Sequence, residues 1–141
     1  MFKKILVPID ISQSDSGRAG LKTAAELAGK TGAYLILLNV TGDVQNLVAN
    51  LLPTNYLDTM QESAREELEK LASSHGLAAG KYEVQTNHGQ IYDKILSVAK
   101  SIGADLIVVT SHKPEFSDYL LGSTAAKIVR HAQCSVLVVR S

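Results

Sequence analysis

Apolar residues fall along this chain in two rhythms. Nearly unbroken runs occupy residues 5–9, 34–40 and 105–109, and a last one is built of Val136, Leu137, Val138 and Val139. Runs without alternation suit strands covered on both faces, as in a parallel sheet. Between them, apolar residues recur every three or four positions, the spacing of an amphipathic helix. Leu21, Ala24, Ala25 and Ala28 predict a helix to about Lys30, with Ser12, Ser14 and Asp15 as candidate caps and Thr31-Gly32 as its stop. Leu57, Met60, Ala64, Leu68 and Leu71 predict a second over residues 57–75, closed by Gly76. Ile91, Ile95, Val98, Ala99 and Ile102 predict a third from Gln90, ended by Gly103; Ala125, Ile128, Val129 and Ala132 predict a fourth. Residues 81–87 alternate, with Tyr82, Val84 and Thr86 on one side, which predicts an edge strand. Val44, Leu47, Val48, Leu51 and Leu52 fall at helical spacing before Pro53, so residues 41–56 read as a short amphipathic helix or an ordered lid.

The result is β-α-β-α-β-α-β-α-β, an α/β fold with right-handed crossovers. No repeat, linker or low-complexity segment interrupts it, so residues 1–141 are expected to form one domain, long enough for a real core. Composition changes this picture little but excludes several functions. Fourteen basic residues balance fourteen acidic ones, so the broad positive field of a nucleic-acid binder is missing. No apolar run approaches the ~20 residues of a membrane span. The first apolar segment is too short for a signal peptide, and the single Cys cannot form an internal disulfide. A cytoplasmic protein that binds neither nucleic acid nor membrane is the expectation.

Candidate chemistry gathers late in the chain. Gly122-Ser123-Thr124 stands where the fourth helix must begin. A helix start offers backbone N–H groups and the positive end of the dipole to an anion, and glycine lets a phosphate approach closely. The same residues also serve as an N-terminal cap with no ligand at all. His131 near the end of that helix suits its dipole, and Cys134 behaves as a small apolar residue at a strand start. His75 and His88 share no metal-ligand spacing with each other or with Cys134, so no metal site is expected. The Walker loop, the dinucleotide Gly-x-Gly-x-x-Gly and the Gly-x-Ser-x-Gly elbow are all missing. Glu62, Glu66 and Glu69, interleaved with Arg65 and Lys70, read as a solvated helix face.

Residues 105–140 as a whole resemble the universal stress protein family. The family pattern is a strand ending in Gly-x-x-Gly, a spacer, Gly-Ser or Gly-Thr, and an Arg-His-Ala-x-Cys-x-Val-Leu-Val-Val ending. Here Thr110-Ser111-His112-Lys113 fills the first slot, Gly122-Ser123 the second, and the run from Arg130 to Val139 the third. Lys4-Ile5-Leu6-Val7-Pro8-Ile9-Asp10 looks like the family's opening strand. Two departures stand out: Thr110 and Lys113 replace both glycines of the first pair, and the spacer to Gly122 is one residue shorter. Those changes restrict φ and add side chains to the loop.

The resemblance implies an open five-stranded parallel sheet of order 3-2-1-4-5, helices on both faces, in the adenine nucleotide α-hydrolase-like manner. It also implies ATP, with or without a Mg²⁺ ion held through water, at the carboxyl ends of strands 1 and 4, where such sheets reverse their winding. Gly122, Ser123 and Thr124 would then hold phosphates; Thr110, Ser111, His112 and Lys113 would line the triphosphate; Pro8, Ile9, Asp10 and Val40 would meet base and ribose. Asp10 serves equally as a cap of the following helix, Lys113 as a solvated loop charge, and Val40 as core. A homodimer through the strand of Val136, Leu137, Val138 and Val139 is implied as well. The expected role is a nucleotide-dependent stress-response or regulatory protein, with little or no ATP hydrolysis because no general base or arginine finger is in view. A dimeric interaction module that binds no nucleotide and a slow ATPase are the alternatives.

Overall fold

The computed structural model describes residues 1–11, 17–42, 51–111 and 122–140. Strands and helices alternate through them: β1 (Lys4–Pro8), α1 (Arg18–Thr31), β2 (Tyr34–Thr41), α2 (Tyr56–Ser74), β3 (Tyr82–His88), α3 (Ile91–Ile102), β4 (Leu106–Ser111), α4 (Ser123–His131) and β5 (Ser135–Arg140). The strands form one sheet of order β3-β2-β1-β4-β5, and every neighbouring pair is parallel. This is the open α/β architecture expected, with β3 and β5 at the two edges.

Side-chain alternation along the central strands builds a core on each face. Ile5, Val7, Leu35, Leu37, Leu106 and Val108 point to one side, where Leu21 and Ala24 of α1 and Leu68 and Ala72 of α2 cover them. Leu6, Ile36, Leu38, Ile107 and Val109 point to the other, under Ile95, Val98 and Ala99 of α3 and Ala125 and Ile128 of α4. Burial of both sides explains why the strands read as unbroken apolar runs. Each fully buried Leu or Ile contributes about 2 kcal/mol relative to an exposed one. The outer strands are less covered: Val136, Leu137, Val138 and Val139 are all half-buried.

Several sequence expectations shift by a few residues, each for a tertiary reason. α1 begins only at Arg18, and its cap position is Gly17, at φ 81, with no capping side chain. Ser12, Ser14 and Asp15 lie outside the described residues. β4 runs on through Thr110 and Ser111, which pair with Val139 and Arg140, so these two belong to a strand rather than to a loop. Residues 51–55 make turns instead of helix, and 43–50 lie outside the description. Val129 is 48% exposed and Ile91 42% exposed, although periodicity put both on inner faces. Ala125 and Ile128 already span the packed stripe of the short α4, and Val129, about 100° further round, turns outward. Ile91 is the first residue of α3 and reaches the rim of a pocket rather than the core.

Candidate functional site

The sheet opens at its point of reversal. β1 pairs with β2 over five rungs, from Lys4↔Tyr34 to Pro8↔Leu38. Against β4 it pairs only at Ile5↔Leu106 and Leu6↔Ile107. Beyond that second rung the carboxyl halves of β1 and β4 are not joined, and Pro8 has no N–H to offer. The amino end of the same gap is closed by Asp105. Its carboxylate accepts the N–H of Lys3 at 2.7 Å and of Lys4 at 3.1 Å, while its own N–H donates to the Lys4 carbonyl at 3.0 Å.

A pocket of about 160 Å³ sits at the open end. Of the residues singled out from the sequence, Pro8, Ile9, Asp10, Val40, Thr110 and Thr124 line it. Ser111 is buried beside it at 3% exposure, and Gly122 and Ser123 form the start of α4 next to Thr124. His112 and Lys113 lie outside the described residues. Apolar wall residues that sequence reasoning assigned only to the core or passed over complete the lining: Leu38, Val109, Ile91, Ile95, Ala125 and Ile128, with Gly17 at the α1 side. The pocket therefore has an aliphatic floor and three polar side chains, Asp10, Thr110 and Thr124, at its margin. That is the usual make-up of a small-molecule site.

Four hydrogen bonds hold this margin in place. Asn39, 5% exposed, donates from Nδ2 to the Ile9 carbonyl at 2.8 Å, and the Ile9 N–H donates to the Leu38 carbonyl at 2.8 Å. These fix the backbone just before Asp10. Asn39 was not foreseen; a polar residue interrupting the apolar run of β2 was the available signal. Thr110 Oγ1 accepts the Gly20 N–H at 3.0 Å, and Ser111 Oγ accepts the Gly122 N–H at 3.2 Å.

Glycines around the pocket divide by what the fold demands of them. Gly17 has a left-handed φ, and a Cβ there would stand 2.9 Å from Ile9 Cγ2. At Gly20 a Cβ would stand 2.5 Å from Thr110 Oγ1. Gly122 is different: its φ of −55 and ψ of 149 suit any residue, and among the described residues an added Cβ would meet only Ser111 Oγ, at 3.8 Å. Gly122, at the cap position of α4, has no side chain with which to cap it. Glycine at this helix start also gives up the stronger side-chain cap that Ser, Thr, Asn or Asp would supply.

A larger pocket of about 510 Å³ lies at the opposite end of the sheet, between α3 and α4, lined among others by Asp93, Lys100, His131 and Cys134. Burial pushes the Cys134 thiol above its ordinary range, so it is not an activated nucleophile. Among the described residues, no group of three or more His, Cys, Asp or Glu side chains could hold a metal, and no helix is long and apolar enough to cross a membrane.

The sequence model of the universal stress protein family matches residues 1–140. The chain belongs to that family. Universal stress protein G of Shigella flexneri is 29% identical over 99% of this chain and 100% of its own length. Among solved structures, the stress protein UspA from Lactobacillus plantarum superposes with a TM-score of 0.80 at 26% identity, covering 98% of this chain and 97% of that one. A universal stress protein solved in complex with cAMP superposes with a TM-score of 0.71 at 22% identity, over 98% of this chain and 97% of that one, a likeness of fold. The five-stranded order and the four helices around it are those of the family.

Proposed function

We propose that this stress protein binds an adenine nucleotide in the crevice between β1 and β4, and that ATP is its ligand. The observation carrying this reading is Gly122, a glycine that neither its backbone angles nor any contact with the described residues requires, at the start of the helix that walls the pocket. The absence of a side chain there leaves room for a phosphate beside the N–H groups and dipole of α4. Thr124 and Ser123 would add hydroxyl donors, and Thr110 and Ser111 would border the phosphates, with His112 and Lys113 following them in the chain. The aliphatic floor suits a base, with Pro8, Ile9 and Val40 against it. Asp10 would accept a ribose hydroxyl. As the one acidic side chain lining the described pocket, it would help hold Mg²⁺ only together with phosphate oxygens, the usual arrangement for that ion. The cAMP complex of a relative supports a nucleotide ligand in this fold.

In this reading residues 1–141 act as one cytoplasmic domain, paired through the exposed edge of β5 into a homodimer whose partner surface responds to nucleotide. Thermal unfolding with and without Mg-ATP tests it: a ligand at ~100 times its dissociation constant adds about 2.7 kcal/mol. One observation favours a second reading, an interaction module without nucleotide. Thr110 places a side chain at the crevice where the family pattern has glycine. No shift at millimolar Mg-ATP or AMP would establish that alternative.

A further inference from the structure

Thr110, at a glycine position of the family pattern, and its neighbour Ser111 both have work to do. Thr110 Oγ1 takes the N–H of Gly20, the third residue of α1, whose own cap position carries no side chain. Ser111 Oγ, one residue on and on the opposite face of the strand, takes the N–H of Gly122, the cap position of α4. α1 covers one face of the sheet and α4 the other. A single dipeptide at the end of β4 thus grips the starts of two helices on opposite sides of the pocket. Successive strand residues point to opposite faces, so two adjacent positions are enough to do this. The steric fit agrees: the space a Cβ on residue 20 would need is filled by Thr110 Oγ1. Ser111 is nearly inaccessible to solvent, so its hydroxyl is committed to the protein.

We propose that Thr110 and Ser111 are positioning residues, a two-armed bracket that sets the separation of α1 and α4 and hence the width of the nucleotide crevice. Order that a glycine at position 110 would acquire only on binding a phosphate is here built in beforehand by side chains. Preorganisation of this kind lowers the ordering cost of binding. The effect on affinity rests on the nucleotide reading above; the bracket itself does not.

Amide hydrogen exchange of the ligand-free protein tests the bracket directly. Thr110→Val should speed exchange at Gly20 by about tenfold or more, the scale of losing one hydrogen bond of ~1.4 kcal/mol. It should leave Gly122 unchanged, and Ser111→Ala should do the reverse. Thr110→Ser, which keeps the hydroxyl, should restore Gly20 protection even if the valine variant is poorly folded. Binding of Mg-ATP, followed by calorimetry, should weaken by about tenfold in Thr110→Val and recover in Thr110→Ser. Thr110→Gly, which returns the loop to the family's residue, should also bind more weakly. Unaltered Gly20 exchange in Thr110→Val, or tighter nucleotide binding by Thr110→Gly, would overturn the proposal. If the unaltered protein binds no nucleotide, the ligand reading falls while the exchange measurements still decide the bracket.

Discussion

The gap between β1 and β4 is treated in opposite ways at its two ends. At the amino end a carboxylate, Asp105, draws the strands together through two backbone N–H groups, and Lys4 Nζ donates to the Ile102 carbonyl beside it at 3.0 Å. At the carboxyl end no ladder bond follows Leu6↔Ile107, and the polar side chains reach outward to helix starts instead of across the gap. One end is a seam and the other a mouth. The difference locates the site better than pocket size does, because the larger cavity lies at the closed end, away from the helix starts. A cavity near a seam has walls that the fold needs for itself; at the mouth the two strands part and the starts of α1 and α4 converge on the gap.

The comparison breaks most severely where the seam turns into the mouth. Leu6, wholly buried at the last rung, is expected to cost about 2–5 kcal/mol when changed to Ala, measured by denaturant unfolding. Asp105→Ala should come next, at about 1–2 kcal/mol, because it strips two N–H groups of their acceptor in a partly hydrated place. The important part is what it should not do: nucleotide affinity should stay within about twofold, a free-energy change of ~0.4 kcal/mol. An equal loss of affinity would mean that the two ends are mechanically one.

Gly20→Ala works at the mouth and should be smaller and more local. Alanine in a helix is ordinarily better than glycine by up to about 1 kcal/mol. Here its Cβ meets Thr110 Oγ1 at 2.5 Å, so the threonine must rotate and release the Gly20 N–H. A net loss of about 1 kcal/mol is expected, the low end of overpacking costs. Thr110→Ala in the same chain removes the conflict, so the pair should show a coupling of about 1 kcal/mol in a double-mutant cycle. Additive effects would mean that the two residues do not meet.

The seam was far more legible in the sequence than the mouth. Unbroken apolar runs at Leu35 and Ile36 or Ile107 and Val108 encode strands buried on both faces, and a helix with Ile95, Val98 and Ala99 on one stripe needs no partner to be recognised. Strand order came from family resemblance, because hydrophobic periodicity carries no information about which strands are neighbours. At α1 the contact that steadies the first turn is distant in sequence and so invisible to local rules. Local rules looked to Ser12, Ser14 and Asp15 to cap α1, whereas the described contact at its first turn comes from Thr110, ninety residues away. Thr110 and Ser111 were read as loop because their polarity breaks the apolar run, yet pairing with Val139 and Arg140 keeps them in the strand. Asn39 escaped notice for the same reason: its meaning lies in Ile9, just past the end of β1.

The smallest expected stability effect is the most informative about function. Gly122→Ala places a methyl group where φ is −55 and the nearest atom among the described residues is Ser111 Oγ at 3.8 Å, ordinary contact distance. The backbone needs no left-handed conformation there, unlike Gly17. Unfolding free energy should therefore change by no more than about 0.5 kcal/mol, as for a surface substitution touching no special feature. If the α4 start receives a phosphate, the same methyl group stands between ligand and backbone, and Mg-ATP affinity should fall by at least about tenfold, or ~1.4 kcal/mol. Gly17→Ala gives the opposite profile: left-handed backbone and the 2.9 Å approach to Ile9 make it a folding defect before it is a binding one. Separating the two glycines in this way distinguishes a residue kept for the chain from one kept for what the chain holds. Equal stability losses at both positions would assign Gly122 to the fold and remove the main support for a phosphate at the mouth.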